Sequence, residues 1–277
     1  MKNLICTCTF AFLFAFTGFS QGLSLEAALG FGLPTSARYR TAATTTTNSG
    51  TTIITNEINR LSFGPGLRGG IGLLYQLKSG FGFGLEGHWF QSVTARVDEL
   101  TVPEGQRFSD FSSTSWRLFP HIYFQLPTSS KIEPFARMGL VLGFNTIKEE
   151  VFSDILGSVL NISITYQGGM SIGYQLKMGA IYQLNDRVGL FSEVFLLAMV
   201  WSGEERVVNS ADENGVNLLP GLTADQINTP ITDMVVVDIN QPFDPVFPDQ
   251  LLRQAFHYTT FGLSVGVRYS FGGIAQD

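Results

Sequence analysis

Ten ionisable side chains fall at one parity of regularly alternating segments: Glu26, Arg68, Glu86, His88, Arg117, His121, Arg137, Lys177, Glu193 and Arg268. In an extended chain successive side chains point to opposite faces. These groups therefore share the face turned away from the apolar positions. Charges enclosed in a low-dielectric interior must be paired or solvated. Two kinds of chemistry fit such a set, an ion path with a gate or a salt-bridged plug. Eight strands enclose room only for filling side chains or one small ligand. Space therefore favours the plug, with Glu26, Arg68, Glu86, Arg117, Arg137, Lys177, Glu193 and Arg268 as a structural network.

A second candidate is His257-Tyr258-Thr259, where a general base lies two residues from a hydroxyl on one strand face. That pairing suits a nucleophile activated by its neighbour. Here the hydroxyl belongs to Thr, no carboxylate is placed to orient the imidazole, and His257 lies above the apolar band if that band starts at Phe261. No metal-spaced His cluster and no phosphate loop is present, so no cofactor is expected. The glycine-rich run from Gly66 to Gly72 alternates as a strand and precedes no helix. Asn161-Ile162-Ser163 matches a glycosylation sequon in form only.

The elements that position these residues are strands. In 261–271 the odd positions are Phe261, Leu263, Val265, Val267, Tyr269 and Phe271, and the even ones are Gly262, Ser264, Gly266, Arg268 and Ser270. Seven further segments alternate in the same way: 23–33, 61–77, 81–89, 116–126, 136–144, 166–184 and 188–200. Their apolar faces include Phe63, Trp116, Tyr166 and Val200. The opposite faces are rich in Gly and Ser, as the crowded inside of a narrow barrel requires. Aromatic-ended apolar faces about eleven residues long match a tilted membrane strand. A soluble barrel such as a lipocalin would have to place this large aromatic face inside. Pro65 and Pro120 predict a bulge or a lost ladder bond.

Connections alternate in length. Short links lie at 78–80, 127–131 and 184–186, and long ones at 34–60, 96–113, 148–164 and 202–255. Short turns on one side and long loops on the other are the habit of outer-membrane barrels, and an even strand count puts both termini on the short-turn, periplasmic side. The last loop holds nine carboxylates against Arg206 and Arg253. Met234-Val235-Val236-Val237 within it offers a short extra strand. Across 184–186 the expected register places Lys177 opposite Glu193.

Composition agrees. The 277 residues are 44% hydrophobic and 14% charged, with 30 Gly and 24 Phe. Soluble domains carry nearer 25% charge. A net charge of −6 leaves no basic field for nucleic acid. Residues 1–20 read as a cleaved signal peptide, with Lys2, an apolar run from Leu4 to Phe16, and a cut before Gln21. Both cysteines, Cys6 and Cys8, fall inside it, so the mature barrel domain, 21–277, has neither disulfide nor thiolate site.

The Ser20-Gln21 signal end, the eight alternating segments and the closing Gly266-Val267-Arg268-Tyr269-Ser270-Phe271 resemble the small outer-membrane β-barrel families. These are the OmpA-like transmembrane domains and the PorT-like barrels of Bacteroidetes-type bacteria. The resemblance implies an all-β, eight-stranded, antiparallel up-and-down transmembrane barrel in the bacterial outer membrane. It implies contact with outer-membrane lipid and lipopolysaccharide, assembly by the barrel-assembly machinery, which reads a terminal aromatic such as Phe271, and protein partners in a membrane complex. The expected role is non-catalytic, through extracellular loops or as an accessory subunit. Alternatives are a narrow channel, a secretion-machinery component, or a lipid-modifying enzyme using His257 and Thr259.

Overall fold

The computed structural model describes residues 22–35, 40–48, 51–59, 62–102, 105–126, 128, 130–233, 247–248 and 250–272. The signal peptide with its cut before Gln21, and the strand expected at 234–237, lie outside the described residues. Eight strands form the wall: β1 (Leu23–Pro34), β2 (Gly66–Gln76), β3 (Phe81–Ser92), β4 (Gly105–Gln125), β5 (Ile132–Ile155), β6 (Ser171–Gln183), β7 (Val188–Trp201) and β8 (Thr260–Ser270). Each pairs antiparallel with the next, and β8 pairs with β1. The ring is closed, so it presents no free edge for aggregation.

The stagger of the ring can be followed residue by residue. Ser24 pairs with Leu74, Leu74 with Gly84, Gly84 with His121, His121 with Gly139, and Gly139 with Gln175. Gln175 pairs with Leu197, Leu197 with Thr260, and Thr260 with Pro34. One circuit returns to β1 ten residues further along. For eight strands that stagger corresponds to a tilt of about 40°. The ten residue steps from Phe261 to Phe271 then climb about 25 Å, the height of the apolar band of a membrane barrel.

The burial pattern is the reverse of a soluble protein's. Leu29 is 70% exposed, Ile71 69% and Trp116 63%, whereas Arg137 is 2% exposed and Lys177 1%. A soluble barrel cannot have this arrangement; a bilayer requires it. Among the described residues no helix is long and apolar enough to cross a membrane, and the exposed apolar face belongs to the strands of the wall.

β4 and β5 outrun the band. They stay paired from Gly105 with Ile155 down to Gln125 with Phe135, so 96–113 and 148–164, expected as loops, are largely strand. Leu156 and Gly157, both with positive φ, close the β5 hairpin as a two-residue turn. Ser158–Gln167 pairs back on β5, Glu205–Glu213 pairs on that strand, and Asn228–Thr232 and Leu251–Leu252 extend the sheet. On the other side Ala95–Val102 pairs with β4. Arg40–Asn48 and Thr51–Asn59 form a separate hairpin. The loop 202–255 also contains a one-turn helix, Ala224–Ile227, capped by Thr223 and Gln226.

Two expected segments end differently. Gly168 and Gly169 at φ +82° and +72° break the 166–184 run, so β6 starts at Ser171 and Tyr166 belongs to the outer sheet. β2 starts at Gly66, just after Pro65, and Phe63 is buried at 1% exposure rather than facing outward. Pro120 leaves a gap in the β4–β5 ladder without changing the register, as Leu118 meets Leu142 and His121 meets Gly139.

Candidate functional site

All ten ionisable residues singled out above lie buried inside the barrel. They come from all eight strands, and the odd or even parity of each strand aims them inward. Arg137 on β5 is the hub. Its Nη1 donates to Glu26 Oε2 and, at 2.7 Å, to Glu86 Oε1, and its Nε lies 3.5 Å from Glu193 Oε2. Lys177 donates to Glu86 Oε2 and lies 3.2 Å from Glu193 Oε1. Arg268 donates from Nε to Glu26 Oε1 at 2.7 Å and from Nη1 to Gln125 Oε1 at 3.1 Å. Three carboxylates thus meet three cations.

The histidines join the same cluster. His88 Nε2 lies 2.9 Å from Glu86 Oε2, and its Nδ1 lies 3.3 Å from Arg68 Nη2. A hydrogen on Nε2 donates to Glu86, while Arg68 Nη2 lies over the ring, 3.2 Å from Nε2 and 3.3 Å from Nδ1. His121 Nδ1 lies 3.7 Å from Glu86 Oε1. Arg68 and Arg117 also stack on aromatic rings. Arg68 sits 4.2 Å over Phe195, and Arg117 sits 4.0 Å over Phe90 with its Nε donating to Ser115 Oγ at 2.9 Å. Among the described residues Arg117 has no carboxylate within ion-pair distance.

Glycines supply the space for these side chains. Glu86 faces Gly72, and a Cβ there would meet Glu86 Cγ at 2.6 Å. Glu193 faces Gly179, where a Cβ would meet backbone at 2.2 Å. At Glu86 and Glu193 the opposing strand offers no side chain, which leaves room for the carboxylates to reach their cations.

The network is closed from above and below. Toward the short turns lie Leu74, Tyr123, Phe135, Ile181 and Phe191. Toward the long loops lie Phe90, Phe119, Val141, Met199, Trp201 and Tyr258 within a larger cluster. Between them remains a cavity of about 10 Å³ bordered by Glu26, Glu86, Arg137 and Glu193, room for about one water.

The expected register of Lys177 and Glu193 is corrected. Gly179, not Lys177, stands opposite Glu193, and Lys177 faces Phe195. The turn is Asn185-Asp186-Arg187, because Asn185 Oδ1 accepts the N–H groups of Arg187 and Val188 at 2.9 Å. Moving the turn by one residue moves the pairing by two. The ion pair forms diagonally instead, within reach of long side chains.

His257 and Thr259 do not form a dyad. Phe256–His257 is a separate short strand paired with Trp201 and Val200. No hydrogen bond joins His257 to Thr259 among the described residues. The Thr259 carbonyl accepts instead from Thr35 Oγ1 and Ser62 Oγ. Composition gave no hint of the aromatic layers that seal the lumen; the inward parity of Phe90, Phe119 and Phe191 was the available signal.

No family model and no curated protein matches the chain. Among solved structures it is similar to the crystal structure of Neisserial surface protein A (NspA). That likeness covers 90% of this chain and 97% of the other, at 12% identity and a TM-score of 0.37.

Proposed function

We propose that this chain is a small outer-membrane barrel, of OmpA-like or PorT-like kind, that does no chemistry in its lumen. It acts through the sheet and loops raised on its long-loop side, or as an accessory subunit of a membrane complex. Its termini face the periplasm, its long loops face outward among lipopolysaccharide, and it is inserted by the barrel-assembly machinery. The observation that supports this reading is the filled lumen. Among the described residues ion pairs occupy its middle and aromatic layers lie on both sides, which speaks against a solute path or an open substrate site in it. The surface left for work is the raised sheet, built from β4, β5, Ser158–Gln167 and Glu205–Glu213.

Two measurements test this. In planar bilayers the purified protein should give no stepwise conductance; regular steps would overturn the reading in favour of a channel. Cysteine-directed crosslinking from Thr165, on the outward side of the raised sheet, should capture partners from gently solubilised membranes. Capture from Asp186 alone would move the working surface to the short turns.

A further inference from the structure

We propose that the lumen binds one small monovalent anion, of halide type, between Arg68 and Arg117. The starting point is charge. Among the described residues buried between the two aromatic layers, five cations (Arg68, Arg117, Arg137, Lys177 and Arg268) accompany three carboxylates (Glu26, Glu86 and Glu193). Arg137, Lys177 and Arg268 each have a carboxylate partner. Arg68 and Arg117 have none within ion-pair distance among the described residues. The excess positive charge of the lumen thus falls on these two side chains, which are only 7% and 6% exposed. Arginine cannot shed its proton to escape the cost, and a buried charge must be paired.

The register brings the two together. Arg68 pairs with Phe90, and Arg117 pairs with His88, two residues away on the same face of β3. Each leans toward the residue that the other faces. Arg68 Nη2 lies 3.2 and 3.3 Å from the ring nitrogens of His88, and the Arg117 guanidinium sits 4.0 Å over Phe90. Same-face residues on a strand stand about 7 Å apart, so the guanidiniums are neighbours over one patch of wall. A phenyl face attracts a cation without cancelling its charge, and an imidazole is never an anion. Arg117 Nη2 is buried and has no hydrogen-bond partner among the described residues. Water would accept from that N–H but leave both charges unopposed; an anion does both. Size sets its class. Phe90, Phe119 and Tyr258 close the lumen above, and the cavity that His88 shares with Glu86 and Arg137 measures about 10 Å³. Long arginine side chains can give way to a single-atom ion, whereas phosphate or sulfate would require the wall itself to move.

The test uses the full chain folded in vesicles. Urea unfolding is followed at one ionic strength while chloride replaces gluconate, an anion too large for the lumen. Binding to the folded state alone raises the folding constant roughly tenfold for each tenfold rise in chloride above the dissociation constant. That dependence should appear in the unaltered protein and persist in R96M, whose arginine is 56% exposed outside the lumen. It should flatten in R68M and in R117M. F90E sets a carboxylate opposite Arg68 and beneath Arg117, and should unfold alike in chloride and gluconate. Heat-modifiable gel mobility reads the fold of each variant. Crystals of the unaltered protein grown in bromide give an answer that needs no variant, an anomalous peak between the two guanidiniums. No chloride dependence in the unaltered protein, an unchanged dependence in folded R117M or F90E, or bromide on the outer surface only would each overturn the proposal.

Discussion

β4 and β5 run through two solvents without a break, and their side chains show where one gives way to the other. Trp116 pairs with Phe144, and both face lipid; two residues on, Thr114 pairs with Thr146 on the same face. Below that boundary the outward positions are Leu118, Ile122, Met138 and Leu140, and the inward ones include Arg117, Arg137 and His121. Above it the outward positions are Ser112, Asp110, Lys148 and Glu150, and the buried inward ones include Phe111, Ile147 and Val151. Parity and register never change. Only the polarity of the two faces is exchanged, because the surroundings change from hydrocarbon to water. Strand alternation tells which residues share a face; the solvent decides which face is apolar.

The largest expected contrast lies in the charges. Arg137→Met leaves the three carboxylates Glu26, Glu86 and Glu193 with only Arg268 and Lys177 as ion-pair partners among the lysines and arginines. It should cost about 3–5 kcal/mol, most of it from the one buried negative charge left unbalanced. Arg96→Met, on the outer face above the boundary, should cost less than about 1 kcal/mol. Urea unfolding of both in vesicles measures the difference. Similar small values would mean that water reaches the lumen network.

Next comes the boundary itself. Leu140→Arg, at the middle of the lipid band, should cost about 2–4 kcal/mol, and Thr146→Arg close to zero. If both are neutral, the band does not lie between the short turns and Trp116.

A third contrast sets inside against outside at one height. A Cβ on Gly139 would meet Pro120 O, a backbone atom, at 2.0 Å, whereas one on Gly87 meets nothing within 4 Å. Gly139→Ala should therefore cost about 1–3 kcal/mol, as overpacking does, while Gly87→Ala should be neutral. Equal effects would place both glycines on the same side of the wall.

The same exchange of faces explains what could be read from the chain alone. The wall was legible because 261–271 and its counterparts keep an aromatic apolar face for a membrane's height, and inward parity was enough to collect Glu26, Arg137, Lys177 and Glu193. The raised sheet was not. Past Trp116 and Phe144 the face followed below turns to Ser, Thr and Asp, which reads as loop to anyone looking for lipid-facing residues. The join at Gly168 and Gly169 was hidden for a related reason, since Tyr166 and Met170 keep the parity while the backbone between them turns. The partners within the network were legible only in part. Arg137 meeting Glu86 across the lumen depends on the ring's stagger, which no single hairpin reveals, and the Lys177 register turned on the side chain of Asn185.

The smallest expected effect lies on the outer face. Arg96 Nε and Nη2 donate to Asp110 Oδ1 and Oδ2 at 2.8 and 2.7 Å, with the guanidinium 4.1 Å over Phe108. The hydrogen bonds from Arg96 hold the Asp110 carboxyl below its usual range. A carboxyl whose pKa is depressed by folding adds stability above its unfolded value, and that stability is lost as pH falls through the folded value. The Arg96 side chain is 56% exposed and that of Asp110 23%, so screening limits the pair to about 0.2–1 kcal/mol even with two-point geometry. Asp110→Asn should lower the stability of the raised sheet by no more than that at neutral pH, and by nothing in strong acid or high salt. Hydrogen exchange of the Ala95–Val102 hairpin amides, compared at pH 7 and pH 3, measures it. A loss that persists unchanged at pH 3 would show that Asp110 contributes through packing against its neighbours rather than through its charge, and that the face above the boundary is less solvated than its polarity suggests.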